Sequence, residues 1–128
     1  MMDMSSDKPD GTVSGFRELG VREAFCAKLR ERSIVEPAPV QRNAIPVLMA
    51  GKDAVIESGT GTGKTLAYLL PMLEAIDLEA NRLQGLVMAP TPELAMQIVR
   101  LAAELAGGNR TLALIGGASR QRQIEKLK

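Results

Sequence analysis

The stretch Asp53-Ala54-Val55-Ile56-Glu57-Ser58-Gly59-Thr60-Gly61-Thr62-Gly63-Lys64-Thr65-Leu66 decides the fold. Its first five residues read as a short strand, its middle as a Gly-rich turn, and Lys64 opens a mostly apolar helix expected to reach Ile76. Strand, turn and helix in this order form the setting of a P-loop. Glycines let the backbone adopt positive φ and turn successive N–H groups inward. The helix start adds unpaired donors and a partial positive charge, both suited to phosphate. Lys64 then suits the outer phosphates of a nucleoside triphosphate, and the Thr65 hydroxyl suits Mg²⁺. Ser58 holds the place where the common pattern has glycine. The candidate phosphate site is thus Ser58, Gly59, Thr60, Gly61, Thr62, Gly63, Lys64 and Thr65, with Lys64 the candidate catalytic cation. An ordinary Gly-rich turn is the plain alternative, and the run of small residues ending in Gly-Lys-Thr argues against it.

Outward from this loop, the apolar positions Leu19, Val21, Phe25, Leu29 and Ile34 predict one amphipathic helix over 17–32. Pro37 and Pro39 interrupt it. Pro39 can open the next helix, 40–50, which Gly51 ends. Pro46 and Pro71 lie inside predicted helices and should bend them. After the P-loop helix, 85–89 reads as a second strand. Residues 92–106 read as a helix with Thr91 as N-cap and Gly107-Gly108 as its stop. A third strand, 111–115, leads to Gly116-Gly117 and a last helix over 118–128. Strands alternating with helices imply an α/β fold, a parallel sheet with flanking helices. The turns at 58–65, 90–92 and 116–118 would share the edge where such sheets bind ligands. Residues 1–13 are polar and read as a disordered tail. Residues 14–128 read as a partial domain.

Composition narrows the function. The chain has 128 residues and a net charge of +1, so it is one domain and no polycation. Any nucleic-acid contact must come from a local patch or from backbone groups. Positive charge gathers late, where Arg110, Arg120, Arg122, Lys126 and Lys128 face only Glu125; a solvated helix face is an equally good reading. Aromatic residues are Phe16, Phe25 and Tyr68 alone. Cys26 is the only cysteine, which excludes an internal disulfide and fits a reducing cytosol. The acidic start has no apolar signal segment, and no run reaches the roughly 18 apolar residues a membrane span needs. Without histidine or a cysteine cluster, a zinc site is excluded in practice.

The base is harder to read. No Asn-Lys-x-Asp segment is present to read guanine. Gln41, in Pro37-Ala38-Pro39-Val40-Gln41, offers the acceptor and donor pair that matches the N6 and N7 edge of adenine. It also sits where a capping-box glutamine bonds back to the N-cap N–H, although Ala38 lacks the hydroxyl that would complete the box. From spacing alone the capping role is favoured.

The ordered set of motifs resembles the DEAD-box family of ATP-dependent RNA helicases, from Phe16 to about Gly117. Pro37 to Gln41, with Ala44-Ile45-Pro46, looks like the family's adenine-reading Q motif. Phe16 stands where the family has an aromatic stacked on adenine. Ser58 to Thr65 looks like motif I, Pro90-Thr91-Pro92-Glu93-Leu94-Ala95 with Gln97 like motif Ia, and Gly116-Gly117 like the double-glycine RNA contact. The resemblance implies a RecA-like P-loop NTPase domain that uses ATP and Mg²⁺. It also implies adenine contacts at Phe16 and Gln41, and RNA contacts at Pro90, Thr91, Gly116 and Gly117.

Ser33, Ala38 and Pro92 depart from the family's usual glycine, hydroxyl residue and arginine. The chain therefore lacks a cation at 92 and a hydroxyl link at 38. The last Asp is Asp77, directly after the P-loop helix, so no Walker B aspartate follows on a strand. The Asp-Glu-Ala-Asp and Ser-Ala-Thr motifs and the second domain's arginine finger are likewise missing. The chain is thus expected to be an N-terminal piece, incomplete at the C-terminus, that binds ATP without turning it over. In the resembled family the strands flanking 53–57 come later than residue 128. The open sheet edges are expected to invite self-association.

Overall fold

The computed structural model describes residues 14–128; the expected tail over 1–13 lies outside the described residues. The helices among them are α1 (Ser14–Glu18), α2 (Glu23–Glu31), α3 (Pro39–Met49), α4 (Lys64–Ala75), α5 (Pro92–Ala106) and α6 (Arg120–Leu127), with a 3₁₀ turn at Gly108–Arg110. The chain divides into two compact units, up to Asp77 and from Leu78 onward.

In the first unit, the single helix expected over 17–32 is two. The break is at Gly20, whose φ is +95°. Gly20 N–H donates to the Arg17 carbonyl at 2.9 Å and Val21 N–H to the Phe16 carbonyl at 3.2 Å. This paired closure is a Schellman motif, in which a left-handed residue ends the helix and an apolar pair flanks it. Phe16 and Val21 form that pair, both buried. The same closure ends α3, where Gly51 (φ +79°) bonds to Leu48 and Lys52 bonds to Val47. It also ends α2, where Ser33 N–H reaches Arg30 and Ile34 N–H reaches Leu29, both at 2.9 Å. Here the left-handed residue is not glycine: Ser33 has φ +61°. The departure noted at 33 thus places a Cβ in a conformation that disfavours one.

The first unit's core forms where α3 packs along α4. α4 buries Leu66, Ala67, Leu69, Leu70 and Leu73, a broad arc that matches its nearly continuous apolar sequence. α3 contributes Ala44 and Ile45, and α2 adds Phe25, Cys26 and Leu29. Each fully buried aliphatic side chain supplies about 1.5–3 kcal/mol. Pro46 and Pro71 sit inside their helices without ending them. Glu74, near the end of α4, caps α2 from a distance. Its Oε1 accepts from Arg22 N–H at 2.6 Å and its Oε2 from Arg22 Nε at 3.0 Å. The Arg22 guanidinium also lies over the Phe25 ring, 4.7 Å from its centre. Burial raises the Cys26 thiol pKa above its ordinary value, so the group is an inert core residue. On the exposed side of α2, a hydrogen bond from Arg30 lowers the pKa of Glu23.

In the second unit, Thr91 caps α5 as expected, accepting from Leu94 N–H at 3.2 Å. Pro92 fills the first helical position, where no N–H is needed. Ile98, Ala102 and Leu105 make its buried stripe, and Gly107, at φ +103°, ends it.

The parallel sheet read from the sequence is not formed among the described residues; 53–57, 85–89 and 111–115 carry no strand ladder. Val55 and Met88 stand 90% and 87% exposed. The physical reason is that a helix satisfies its own backbone, whereas a strand needs a neighbour. Parallel pairs in particular persist inside sheets covered on both faces.

Replacing Ser33 with glycine should relieve the left-handed strain and raise stability by about 0.5–1 kcal/mol. Urea unfolding followed by helical circular dichroism would read this, and a lower midpoint for Ser33→Gly would contradict it.

Candidate functional site

The phosphate-loop residues and Gln41 meet in the first unit. α4 starts at Lys64, and its N-cap is Gly63 at φ +97°. Gly61 is also left-handed, at φ +73°. The two glycines serve different needs. A Cβ on Gly61 would meet nothing within 4 Å, so that face of the loop is open to an incoming group. A Cβ on Gly63 would collide with Gln41 Nε2. Gly63 is therefore demanded twice, by its dihedral and by its neighbour.

The loop is held by its own polar groups. Ser58 Oγ donates to Thr62 Oγ1 at 2.5 Å, and Thr62 Oγ1 donates to the Gly59 carbonyl at 2.7 Å. Lys64 Nζ donates to the Ser58 carbonyl at 2.5 Å, which folds the ammonium back over the loop's first residue. The serine that replaces the usual glycine is thus an active part of the closure.

This arrangement fits a polyphosphate. The first N–H groups of α4 have no intrahelical acceptor, the helix start is partially positive, and Lys64 lies within reach of the same turn. Thr65, half-buried in the first turn, fits one Mg²⁺ ligand. Among the described residues no group of three or more His, Cys, Asp or Glu could hold a metal. A Mg²⁺ ion here would therefore draw its other ligands from phosphate and water, as this ion commonly does.

Gln41 takes the capping role that its spacing favoured, and its other amide end bonds to the P-loop. Its Oε1 accepts from Ala38 N–H at 2.8 Å, half of a capping box that Ala38 cannot reciprocate. Its Nε2 donates to the Gly63 carbonyl at 3.1 Å. The side chain is only 4% exposed. Each amide end keeps one further hydrogen-bonding position, which is what a base edge would need. The link from Gln41 to the P-loop forms without a hydroxyl at 38. Phe16 is buried at 2% exposure, so its ring presents no free face. Its helix nevertheless lies beside the segment that leads to Gln41, because a Cβ on Gly15 would strike Pro37 and Glu36.

The residues expected to contact RNA belong to the second unit. Pro90 and Thr91 are exposed at the start of α5. Gly116 and Gly117 form an exposed turn, with Gly117 at φ +81°. Sequence reasoning missed three connections: the Glu74–Arg22 clamp, the Ser58–Thr62–Gly59 chain, and a pairing of Gln123 with the backbone of Ile115. Only Ser58 left a signal, as a polar residue where glycine is usual.

The model of the DEAD/DEAH box helicase family matches residues 38–128. Among curated proteins, the chain is 48% identical over 95 residues to the probable ATP-dependent RNA helicase YfmL of Bacillus subtilis, covering 73% of this chain and 25% of that one. Among solved structures, it resembles the RNA helicase Prp28 from Chaetomium thermophilum bound to ADP, with a TM-score of 0.76 and 34% identity over 86% of this chain and 28% of that one. It also resembles S. cerevisiae Dbp5 bound to RNA and ADP BeF3, with a TM-score of 0.64 and 29% identity over 77% and 25% of the two chains. The solved neighbours are RecA-like domains of DEAD-box helicases, and the chain belongs to the DEAD/DEAH box helicase family. It spans about a quarter of the length of the curated relatives it matches.

Gly63→Ala should cost about 1–2 kcal/mol from its dihedral and a further ~1–3 kcal/mol from the collision with Gln41. Because Gln41→Ala also removes two hydrogen bonds, the crowding is read from the cycle: Gly63→Ala/Gln41→Ala should cost ~1–3 kcal/mol less than the sum of the two single variants. Additive losses would show that Gln41 does not crowd Gly63.

Proposed function

We propose that this chain is the ATP-binding N-terminal portion of a DEAD-box ATP-dependent RNA helicase, whose whole protein couples ATP binding and hydrolysis to RNA unwinding or remodelling. The observation that carries the reading is the join between Gln41 and Gly63. It ties the candidate adenine reader to the residue that starts the phosphate-binding helix. In this reading Gln41 and, once uncovered, Phe16 meet the base. Residues 58–65 hold the phosphates, Lys64 steadies the outermost one, and Thr65 shares Mg²⁺ with them. Pro90, Thr91, Gly116 and Gly117 touch the RNA backbone. The solved relatives carry ADP in one case and RNA with ADP BeF3 in another. No helix among the described residues is long and apolar enough to cross a membrane, and a cytoplasmic setting is part of the proposal.

The complete domain would carry the parallel sheet, with 53–57, 85–89 and 111–115 as three of its strands. Leu83 and Leu86, 76% and 70% exposed, together with Val55 and Met88, support pairing with further strands. In the isolated chain the same surfaces favour self-association. Phosphoryl transfer needs a water-orienting group and a cationic finger, the latter alone worth about 10³–10⁵ in rate. The chain as it stands carries neither, so it binds ATP without RNA-stimulated turnover.

Lys64→Ala should remove most affinity for a non-hydrolysable ATP analogue in isothermal titration, and undiminished binding would overturn the phosphate site. Gln41→Ala should weaken ATP several-fold more than inorganic triphosphate, since only ATP offers the base. Equal losses for both ligands would leave Gln41 as a structural residue. Sedimentation of the wild-type chain should show species larger than a monomer, and a monodisperse monomer with a cooperative melt would refute the open-edge reading.

A further inference from the structure

We propose that Gln123 is the positioning residue for the Gly116-Gly117 turn, and that it holds this turn in the shape an RNA backbone meets. The inference rests on the RNA reading above.

Ile115, the residue immediately before the turn, has both backbone groups taken by one side chain. Its N–H donates to Gln123 Oε1 at 3.0 Å, and its carbonyl accepts from Gln123 Nε2 at 3.1 Å. Two residues that exchange an N–H···O pair in this way reproduce a hydrogen-bonded bridge between antiparallel strands. Segment 111–115 has no strand neighbour among the described residues. The carboxamide stands in for one at its last position. Few side chains could do so. Glutamate accepts but does not donate when ionised, lysine donates but does not accept, and asparagine is a methylene shorter.

The other end of the turn is also anchored. Ser119 caps α6, its Oγ accepting from Arg122 N–H at 3.4 Å and its carbonyl from Gln123 N–H at 3.2 Å. Residues 116–118 therefore span two fixed points, and both fixations run through the first turn of α6.

What this turn is kept for follows from Gly116. Gly117 needs glycine for its φ of +81°. Gly116 does not, because its φ is outside the left-handed range and a Cβ there would meet nothing within 4 Å. Nothing inside the described chain requires glycine at 116. Close approach of an external group to the backbone does. The charge nearby indicates what kind of group. Arg120, Arg122 and Lys126 are exposed on α6 and form no ion pair among the described residues. In the first unit, by contrast, Arg17, Arg22, Arg30 and Arg42 each meet a carboxylate. A phosphodiester backbone passing over Gly116 and flanked by unpaired cations satisfies both observations.

The test uses the whole chain and a fluorescent single-stranded oligouridylate, with Gln123→Leu and Gln123→Glu as variants. Hydrogen exchange at the Ile115 amide reports the clamp, and anisotropy reports RNA affinity. Gln123→Leu should speed Ile115 exchange and weaken RNA binding about tenfold at every pH. Gln123→Glu should do the same at pH 8, where its carboxylate faces the Ile115 carbonyl. Facing that carbonyl raises the folded-state pKa of the new carboxyl. Both readouts should therefore return toward wild type as pH falls through that raised value, because the protonated acid again donates and accepts. A merely structural lesion would not be rescued by acid. A wild-type chain that binds no RNA overturns this inference together with the RNA reading. RNA affinity that stays within about twofold of wild type in both variants overturns this inference alone.

Discussion

The hydrogen bond from Gln41 to the Gly63 carbonyl is the constraint around which the first unit is arranged. It fixes the start of α4 against the start of α3. Because Gln41 also holds Ala38 N–H, one buried carboxamide determines where two helices begin. Removing it would leave a part-buried amide and a part-buried carbonyl without their protein partner, a cost of at most about 1–3 kcal/mol each. The same bond explains why Gly63 tolerates no side chain. The loop's geometry is thus set from outside by a neighbouring helix as well as from within by its glycines.

Helices were legible in the sequence because their signals are local. Thr91-Pro92 marked the start of α5 and Gly107 its end, and the structure places both as read. Pro39 and Gly51 bounded α3 in the same way. The break at Gly20 was legible too, but apolar periodicity across 17–32 masked it. A left-handed glycine with Phe16 and Val21 as its flanking pair outweighs a continuous stripe. The strands were not legible as structure, because a strand is a property of a pair. Val55, Leu86 and Met88 have strand-like composition and remain exposed. At the site, the P-loop residues could be read from type and spacing, whereas their mutual bonds could not. Nothing in the sequence indicates that Lys64 folds back onto Ser58.

Gln41 and Gln123 use the same device in separate units. Each carboxamide accepts from one backbone N–H and donates to one backbone carbonyl. Gln41 divides its two ends between different segments and so couples them. Gln123 gives both ends to Ile115 and so terminates a segment. A charged side chain could not replace either one, since each site presents a donor and an acceptor together. This explains how irregular stretches of the chain keep a defined shape without a ladder.

On the proposed reading of the loop as a phosphate site, the remaining question is how a self-closed loop accepts its ligand. Lys64 already has an acceptor in the Ser58 carbonyl, so phosphate must offer more than a partner for a lone ammonium. It does, because a phosphate oxygen carries a full negative charge that a carbonyl lacks, which adds an ion-pair attraction to the hydrogen bond. The exchange also leaves the Ser58–Thr62–Gly59 chain free to persist, since none of its bonds involves the ammonium. The helix-start N–H groups need not break a bond to receive the anion. In that reading most of the cradle is preorganised, and only Lys64 would change partner. A single, favourable swap of acceptors is compatible with a loop that keeps its shape when no nucleotide is present and grips firmly when one arrives.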